Sequence, residues 1–167
     1  MNMAFLSVGG NLGDRMGYIE AAEKALNKEC GRIINTSSVY ETEPWGSSSG
    51  RHYLNRVIQL ETALSAEQLL QKTLAMEQEL GRIRSAEQNA DRTMDIDLLL
   101  FNRDIIHASH LQVPHPRLHL RNFVLVPLNE IAPDLVHPVL QKNMSTLLQE
   151  CRDELKAVKY EITGQPE

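Results

Sequence analysis

Arg92-Thr93-Met94-Asp95-Ile96-Asp97-Leu98-Leu99-Leu100-Phe101 alternates apolar residues with others and then closes into a solid apolar run, the pattern of a β-strand. Side chains at i and i+2 share a face of a strand, so Asp95 and Asp97 project together. Met94, Ile96, Leu98 and Leu100 are expected on the opposite face, in a core. Two carboxylates held side by side repel each other unless a cation lies between them. Their hard oxygens suit Mg²⁺, which binds through one or two carboxylates and completes its shell with water and substrate phosphates. Arg92 directly precedes the pair, and Arg82 and Arg84 lie a short loop upstream. Metal-binding carboxylates beside arginines are what phosphoryl transfer requires. A solvated strand face with surface ion pairs is the alternative reading of a lone Asp-x-Asp.

Working outward toward the N-terminus, Ser65-Ala66-Glu67-Gln68 is a capping box that starts a helix. Leu69, Thr73, Met76 and Leu80 form its inner stripe, and Gly81 ends it. Glu77 lies beside that stripe, either supporting the site from behind or pairing with Arg84. Ser85 to Thr93 is polar and without periodicity, a candidate lid that carries Arg92. Tyr53 to Glu61 reads as a strand with Tyr53, Asn55, Val57 and Gln59 on one face and Leu54, Ile58 and Leu60 on the other. Tyr53 offers a ring to stack on, and Asn55 an amide that donates and accepts, which suits a planar heterocycle. An ordinary cross-strand pair is the plainer reading. The loop Thr42 to His52 is rich in Pro, Gly and Ser, and holds the only tryptophan, Trp45, as a buried anchor or part of a lid.

Earlier still, Met3 to Val8 is a short strand broken by Gly9-Gly10-Asn11-Leu12-Gly13. That spacing matches neither the dinucleotide fingerprint nor the Walker A loop, so the glycines read as a structural turn. Asp14 caps the following helix, with Ile19, Ala22 and Leu26 on its buried stripe. Arg32 to Glu41 reads as one strand rich in β-branched residues. Beyond Phe101, Asn102-Arg103-Asp104 makes a turn and Leu111 to Val113 an edge strand stopped by Pro114. His115 stands between two prolines, a rigid surface residue or a ligand. Phe123 to Ile131 looks helical despite Pro127, and the Phe123 ring reads as core before stacking partner. Ser145 is expected to cap a short helix, Lys156 to Ile162 to close the sheet, and Thr163 to Glu167 to fray.

The order β-α-β-β-α-β predicts an α+β fold with a ferredoxin-like core sheet, helices on one face, and additional C-terminal helices and a strand. The 167 residues are expected to form a single domain spanning 1–167. A 42% hydrophobic and 23% charged composition is ordinary for a globular protein. A net charge of −5 argues against a general nucleic-acid binder. The acidic balance and sparse aromatics also disfavour a ferredoxin-like RNA-binding module, the non-enzymatic rival. Cys30 and Cys151 have no metal-ligand spacing and read as reduced thiols of a cytoplasmic protein. No leader or membrane-spanning stretch is evident, and a monomer is expected.

Taken together, Val8 to Asp14, Tyr40 to Gly46, Tyr53 to Asn55, Gly81 to Arg84, Arg92 to Asp97, Val113 to Arg117 and Ile131 to Leu135 resemble the 6-hydroxymethyl-7,8-dihydropterin pyrophosphokinases of folate biosynthesis. The resemblance runs through nearly the whole chain. It implies transfer of diphosphate from ATP to 6-hydroxymethyl-7,8-dihydropterin with release of AMP. Carried over by position, Asp95 and Asp97 would bind two Mg²⁺ ions, and Arg82 and Arg92 would stabilise the migrating group. Glu77, Arg84, His115 and Arg121 would lie on the ATP side. Tyr53 and Phe123 would sandwich the pterin, Asn55 would read its edge, and Thr42, Pro44, Trp45 and Gly46 would line its pocket. Asn89-Ala90-Asp91 departs from the Trp-Gly-Pro of some members, and Pro116 replaces an aromatic found in others. A different metal-dependent nucleotidyltransferase on a similar sheet is the enzymatic rival, distinguished by releasing pyrophosphate instead of AMP.

Overall fold

The structure is a computed structural model that describes residues 1–44, 50–81 and 93–161. Expectations for Trp45, Gly46, Arg82, Arg84, Arg92, the triplet Asn89-Ala90-Asp91 and the tail from Thr163 fall outside the described residues. The chain runs β1 (Asn2–Gly10), α1 (Arg15–Glu29), β2 (Arg32–Thr36), β3 (Tyr40–Thr42), β4 (Tyr53–Thr62), α2 (Ala66–Glu79) and β5 (Asp95–Phe101). A small hairpin of β6 (Ile106–His107) and β7 (Gln112–Val113) comes next, then a single 3₁₀ turn (Leu118–Leu120). The chain continues with α3 (Asn122–Ile131), α4 (Met144–Glu150) and β8 (Val158–Lys159).

The main sheet is antiparallel in the order β5-β1-β4-β3-β8, with β2 also paired to β4. Its central strands and two crossover helices form the expected α+β, ferredoxin-like core. Alternation puts Ala4, Leu6 and Val8 of β1 and Leu54, Ile58 and Leu60 of β4 on one face. There they meet Ile19, Ala22 and Leu26 of α1 and Ala66, Leu69 and Met76 of α2. Asp14 caps α1 by accepting from the Gly17 amide, and both halves of the Ser65–Gln68 capping box are formed. Gly81, at φ +86°, takes the left-handed turn after α2.

The structure corrects the one-sided arrangement. Phe5, Val57, Leu99 and Leu100 face the opposite way and are covered by Val124, Leu125 and Leu128 of α3 and Met144 and Leu147 of α4. Helices therefore cover both faces of the sheet. Leu100 was expected beside Leu98, but a register shift lets Phe5 pair with Leu100 and Leu6 with Leu98. Leu99 is the extra residue of a bulge, and alternation restarts after it. Other boundaries move as well. The predicted strand Arg32 to Glu41 divides into β2 and β3, because Ser37 turns inward to accept from the Val57 amide and donate to the Ser38 carbonyl. β1 continues through Gly9 and Gly10 instead of breaking there. Asn143, not Ser145, caps α4 by accepting from the Thr146 amide. The closing strand is only Val158–Lys159. Among the described residues no helix is long and apolar enough to cross a membrane. Both cysteines are free, and burial pushes the Cys30 thiol up to about 11.

α3 matters most for the site, and its first residue is tied down by the C-terminal segment. The Asn122 amide donates to Asp153 Oδ2 at 2.9 Å, while Asn122 Nδ2 donates to the carbonyls of Asp153 and Leu155 at 3.0 and 2.8 Å. Asn122→Ala removes two of these bonds and leaves two half-buried carbonyls short of a donor. It is expected to lower stability by about 1–3 kcal/mol in urea denaturation.

Candidate active site

The sheet face under α3 is apolar only where the helix covers it. Toward the C-terminal end of β1 the same face turns polar and small. Register alone assembles this polar patch. Gly9 lies between Asn55 of β4 and Asp95 of β5, and Ser7 lies between Val57 and Asp97. Beyond Asn55 the row reaches Tyr40 of β3, and Thr42 sits opposite Tyr53. One continuous surface thus carries Asp95, Asp97, Asn55 and Tyr53, as side-chain parity requires.

A cleft holding roughly 560 Å³ of empty space opens over this surface. Its floor is Ser7, Gly9, Asn55, Asp95 and Asp97, with Thr42, Glu43 and Tyr53 at one side. Arg121 and Phe123, at the start of α3, form the other side. Phe123 is half-buried, part core and part wall. The Arg121 guanidinium lies over its ring, 5.3 Å from the centroid, a cation–π contact that holds the charge beside the carboxylates. Thr42 is 2% exposed, and its hydroxyl finds no hydrogen-bond partner among the described residues. Pro44, half-buried, stands outside the cleft lining.

A second, more open groove runs from the other side of β5. Glu77 of α2, 3% exposed, stands in it with His115, Arg117 and Arg121. The β6–β7 hairpin adds His110 and Gln112. Asp95, Asp97 and Arg121 line both spaces. The carboxylate pair is therefore where two compartments meet.

His115 is the most perturbed group here. Burial, with help from the Arg121 and Arg117 charges and against the pull of Asp95, pushes its imidazole down to about 4. Its own amide donates to the Leu99 carbonyl at 2.9 Å, anchoring the Pro-His-Pro segment to β5. Its Nδ1 accepts from the Arg117 amide at 3.2 Å. The neutral ring therefore carries its proton on Nε2 and is a donor there.

Of the expected site residues, the structure brings Thr42, Tyr53, Asn55, Asp95, Asp97, Arg121 and Phe123 to one cleft. Glu77 and His115 join Asp95, Asp97 and Arg121 in the adjoining groove. Ser7, Gly9 and Glu43 were not anticipated. The signal for the first two was present as small residues two apart at the end of a strand, which mark a close approach. A Cβ on Gly9 would lie 2.0 Å from the Leu54 carbonyl oxygen and 2.2 Å from Asn55 Oδ1. Arg117 and the hairpin residues carry no periodicity or motif that separates them from surface.

Fold and site together define a ferredoxin-like α+β domain with a carboxylate pair at the junction of two compartments. A family model for 7,8-dihydro-6-hydroxymethylpterin-pyrophosphokinase (HPPK) matches residues 5–133. A 2-amino-4-hydroxy-6-hydroxymethyldihydropteridine pyrophosphokinase from Porphyromonas gingivalis is 40% identical over 141 residues, spanning 83% of this chain and 95% of that one. The Bacillus subtilis protein of that name is 41% identical over 131 residues and 78% of each chain. Among solved structures, wild-type HPPK-DHPS from Plasmodium falciparum superposes with a TM-score of 0.73 at 18% identity. That match covers 89% of this chain but only 43% of the other, and is a likeness of fold. The chain belongs to the 7,8-dihydro-6-hydroxymethylpterin-pyrophosphokinase family.

Two outcomes are expected from this geometry. Gly9→Ala places its methyl against backbone, so the protein should lose several °C in a thermal melt and Asn55 its place on the floor. In an NMR titration the His115 ring protons should shift with a midpoint near 4, well below an ordinary histidine, and stay flat from pH 6 to 8.

Proposed function

We propose that the two compartments hold the two substrates, with 6-hydroxymethyl-7,8-dihydropterin in the cleft and ATP in the groove. The observation that carries this reading is that Asp95, Asp97 and Arg121 line both spaces. A reaction between two bound molecules needs such a shared edge, where reacting atoms are held in line. Family membership supports the same chemistry: diphosphate passes from ATP to the pterin's hydroxymethyl oxygen, and AMP leaves. The new bond is from that oxygen to the β-phosphorus. The bond broken joins the β-phosphorus to the oxygen that departs on AMP, and the hydroxyl gives up its proton.

The donor set fits Mg²⁺. Two carboxylates share a strand face, and among the described residues no third His, Cys, Asp or Glu closes a cage around them. An ion needing water and phosphate oxygens for most of its shell is suited to such a site. Asp95 and Asp97 would hold two ions, which supply charge neutralisation at the ATP phosphates. Tyr53 and Phe123 would flank the pterin ring, and Asn55 would pair with its hydrogen-bonding edge, while Thr42, Pro44, Trp45 and Gly46 would close the pocket. The buried Thr42 hydroxyl supports a polar ligand there, since it lacks a partner among the described residues. Glu77, Arg84, His115 and Arg121 would hold the nucleotide, with His115 donating from Nε2. Arg82 and Arg92 would take up negative charge developing on the transferred group. The reaction would proceed in a folate-producing cytoplasm on a monomeric protein.

The primary test supplies ATP, Mg²⁺ and the dihydropterin and separates AMP from ADP and pyrophosphate. Pterin-dependent AMP is expected; pyrophosphate release in its place would assign a nucleotidyltransferase. Asp95→Ala and Asp97→Ala should each lose activity on the order of 10²-fold or more while melting as the parent does. Arg92→Ala should lower kcat more than it raises the KM for ATP, and a change confined to that KM would make Arg92 a simple binder.

A further inference from the structure

Tyr40 and Glu130 take no part in the chemistry assigned above, yet they join the two walls of the cleft. Phe123 and Glu130 are seven residues apart on α3, two turns, so they lie on nearly the same side of the helix. Glu130 Oε1 accepts from the Tyr40 hydroxyl at 2.5 Å. Glu130 Oε2 accepts from both the Ser38 amide and the Ser38 hydroxyl at 3.0 Å. Tyr40 is 5% exposed and stands opposite Asn55 in register, and two residues further on Thr42 stands opposite Tyr53. One strand pairing therefore fixes Tyr40 to the wall that bears Asn55 and Tyr53. One carboxylate fixes Tyr40 to the helix that bears Phe123.

We infer that Tyr40 and Glu130 are positioning residues that set the gap between Phe123 and the Tyr53–Asn55 wall, and with it the affinity for the flat pterin ring. The inference rests on the reading of the cleft as the pterin site. The start of α3 is held independently by Asn122 on Asp153, so removing the Tyr40 contact frees only one end of the helix. A small tilt about the held end changes the separation of the rings without dismantling the core. Burial and the Glu130 charge raise the Tyr40 phenol, so it stays a donor across the working pH range. Burial alone would raise the Glu130 carboxyl, but its bonds from Tyr40 and Ser38 and the nearby Lys159 hold it below the usual carboxylate range, an anionic acceptor.

Tyr40→Phe deletes one oxygen and keeps the packing. Loss of this one bond is expected to raise the KM for the dihydropterin about tenfold, with kcat and the KM for ATP within about twofold of the parent. Glu130→Ala should do the same or more. Glu130→Gln retains an oxygen that accepts from Tyr40 and should recover most of the loss. Direct titration with 6-hydroxymethylpterin, followed by protein fluorescence, checks the affinity apart from turnover. A Tyr40→Phe protein that melts earlier but binds the pterin as the parent does would overturn the inference and leave the pair purely structural. Equal losses for ATP and pterin would overturn it too, since they indicate general loosening. A parent protein that fails to bind the pterin at all overturns the site reading itself, a result separate from either of these.

Discussion

The site depends on how closely β1 and β4 approach at Gly9. With the Leu54 carbonyl 2.0 Å and Asn55 Oδ1 2.2 Å from where a Cβ would stand, no side chain fits between the Asn55 amide and the Asp95 carboxylate. The bare backbone at this point makes a floor low enough for a ligand to touch both groups at once. Everything above it depends on antiparallel register, which fixes a residue on the middle strand against one on each neighbour. A slip of one residue in either pairing would turn Asp95 and Asp97 into the apolar layer beneath α1 and α2. Both hydrophobic layers, which bury the alternate residues of the same strands, hold the register against that slip.

The covering of the second face then decides where the opening lies. α3 and α4 bury Phe5, Val57, Leu99 and Leu100, and the helical cover ends at Phe123, where the residues beneath it become Ser7, Gly9 and Asp97. The boundary between core and cleft is thus a boundary in strand composition. The bulge at Leu99 contributes to both, because it returns two successive leucines to the α3 layer just past the point where the carboxylates have left it. Charge is matched across the opening: Arg121 is held over the Phe123 ring at one edge, and the carboxylates rise from the floor. An acidic chain with a net charge of −5 thereby offers a polyphosphate a local cation where it is needed.

Much of this was legible in the residue pattern. Period-two alternation placed Asp95 with Asp97 and Tyr53 with Asn55, and four-three-four spacing placed Leu69, Thr73 and Met76, because burial of a face is written one residue at a time. The second helical layer was not legible. Val124, Leu125 and Leu128 show that α3 is apolar but not which side of the sheet it will meet. The bulge at Leu99 left no mark, since Leu98, Leu99 and Leu100 are chemically alike and an extra residue among them changes no pattern. Ser37 broke a strand that its β-branched neighbours favour, through bonds to Val57 and Ser38 that exist only in three dimensions. The glycines at positions 9 and 10 were read as punctuation when they serve as clearance. For Tyr53, Asn55 and His115 the residue type suggested the chemistry, and only the fold put them against one opening.

The segment around His115 has a consequence for what histidine means at that position. With Nδ1 committed to the Arg117 amide and the cationic form disfavoured by burial, the ring has one remaining polar act, donation from Nε2. It behaves as a fixed, uncharged donor, closer in character to a locked carboxamide than to a proton-exchanging imidazole. Such a group adds direction to nucleotide recognition without adding charge, so its share of the binding is insensitive to salt while that of the neighbouring arginines is screened. Exchange for lysine would bring a charge where only orientation is used, and asparagine, with a shorter reach, is the nearer chemical equivalent.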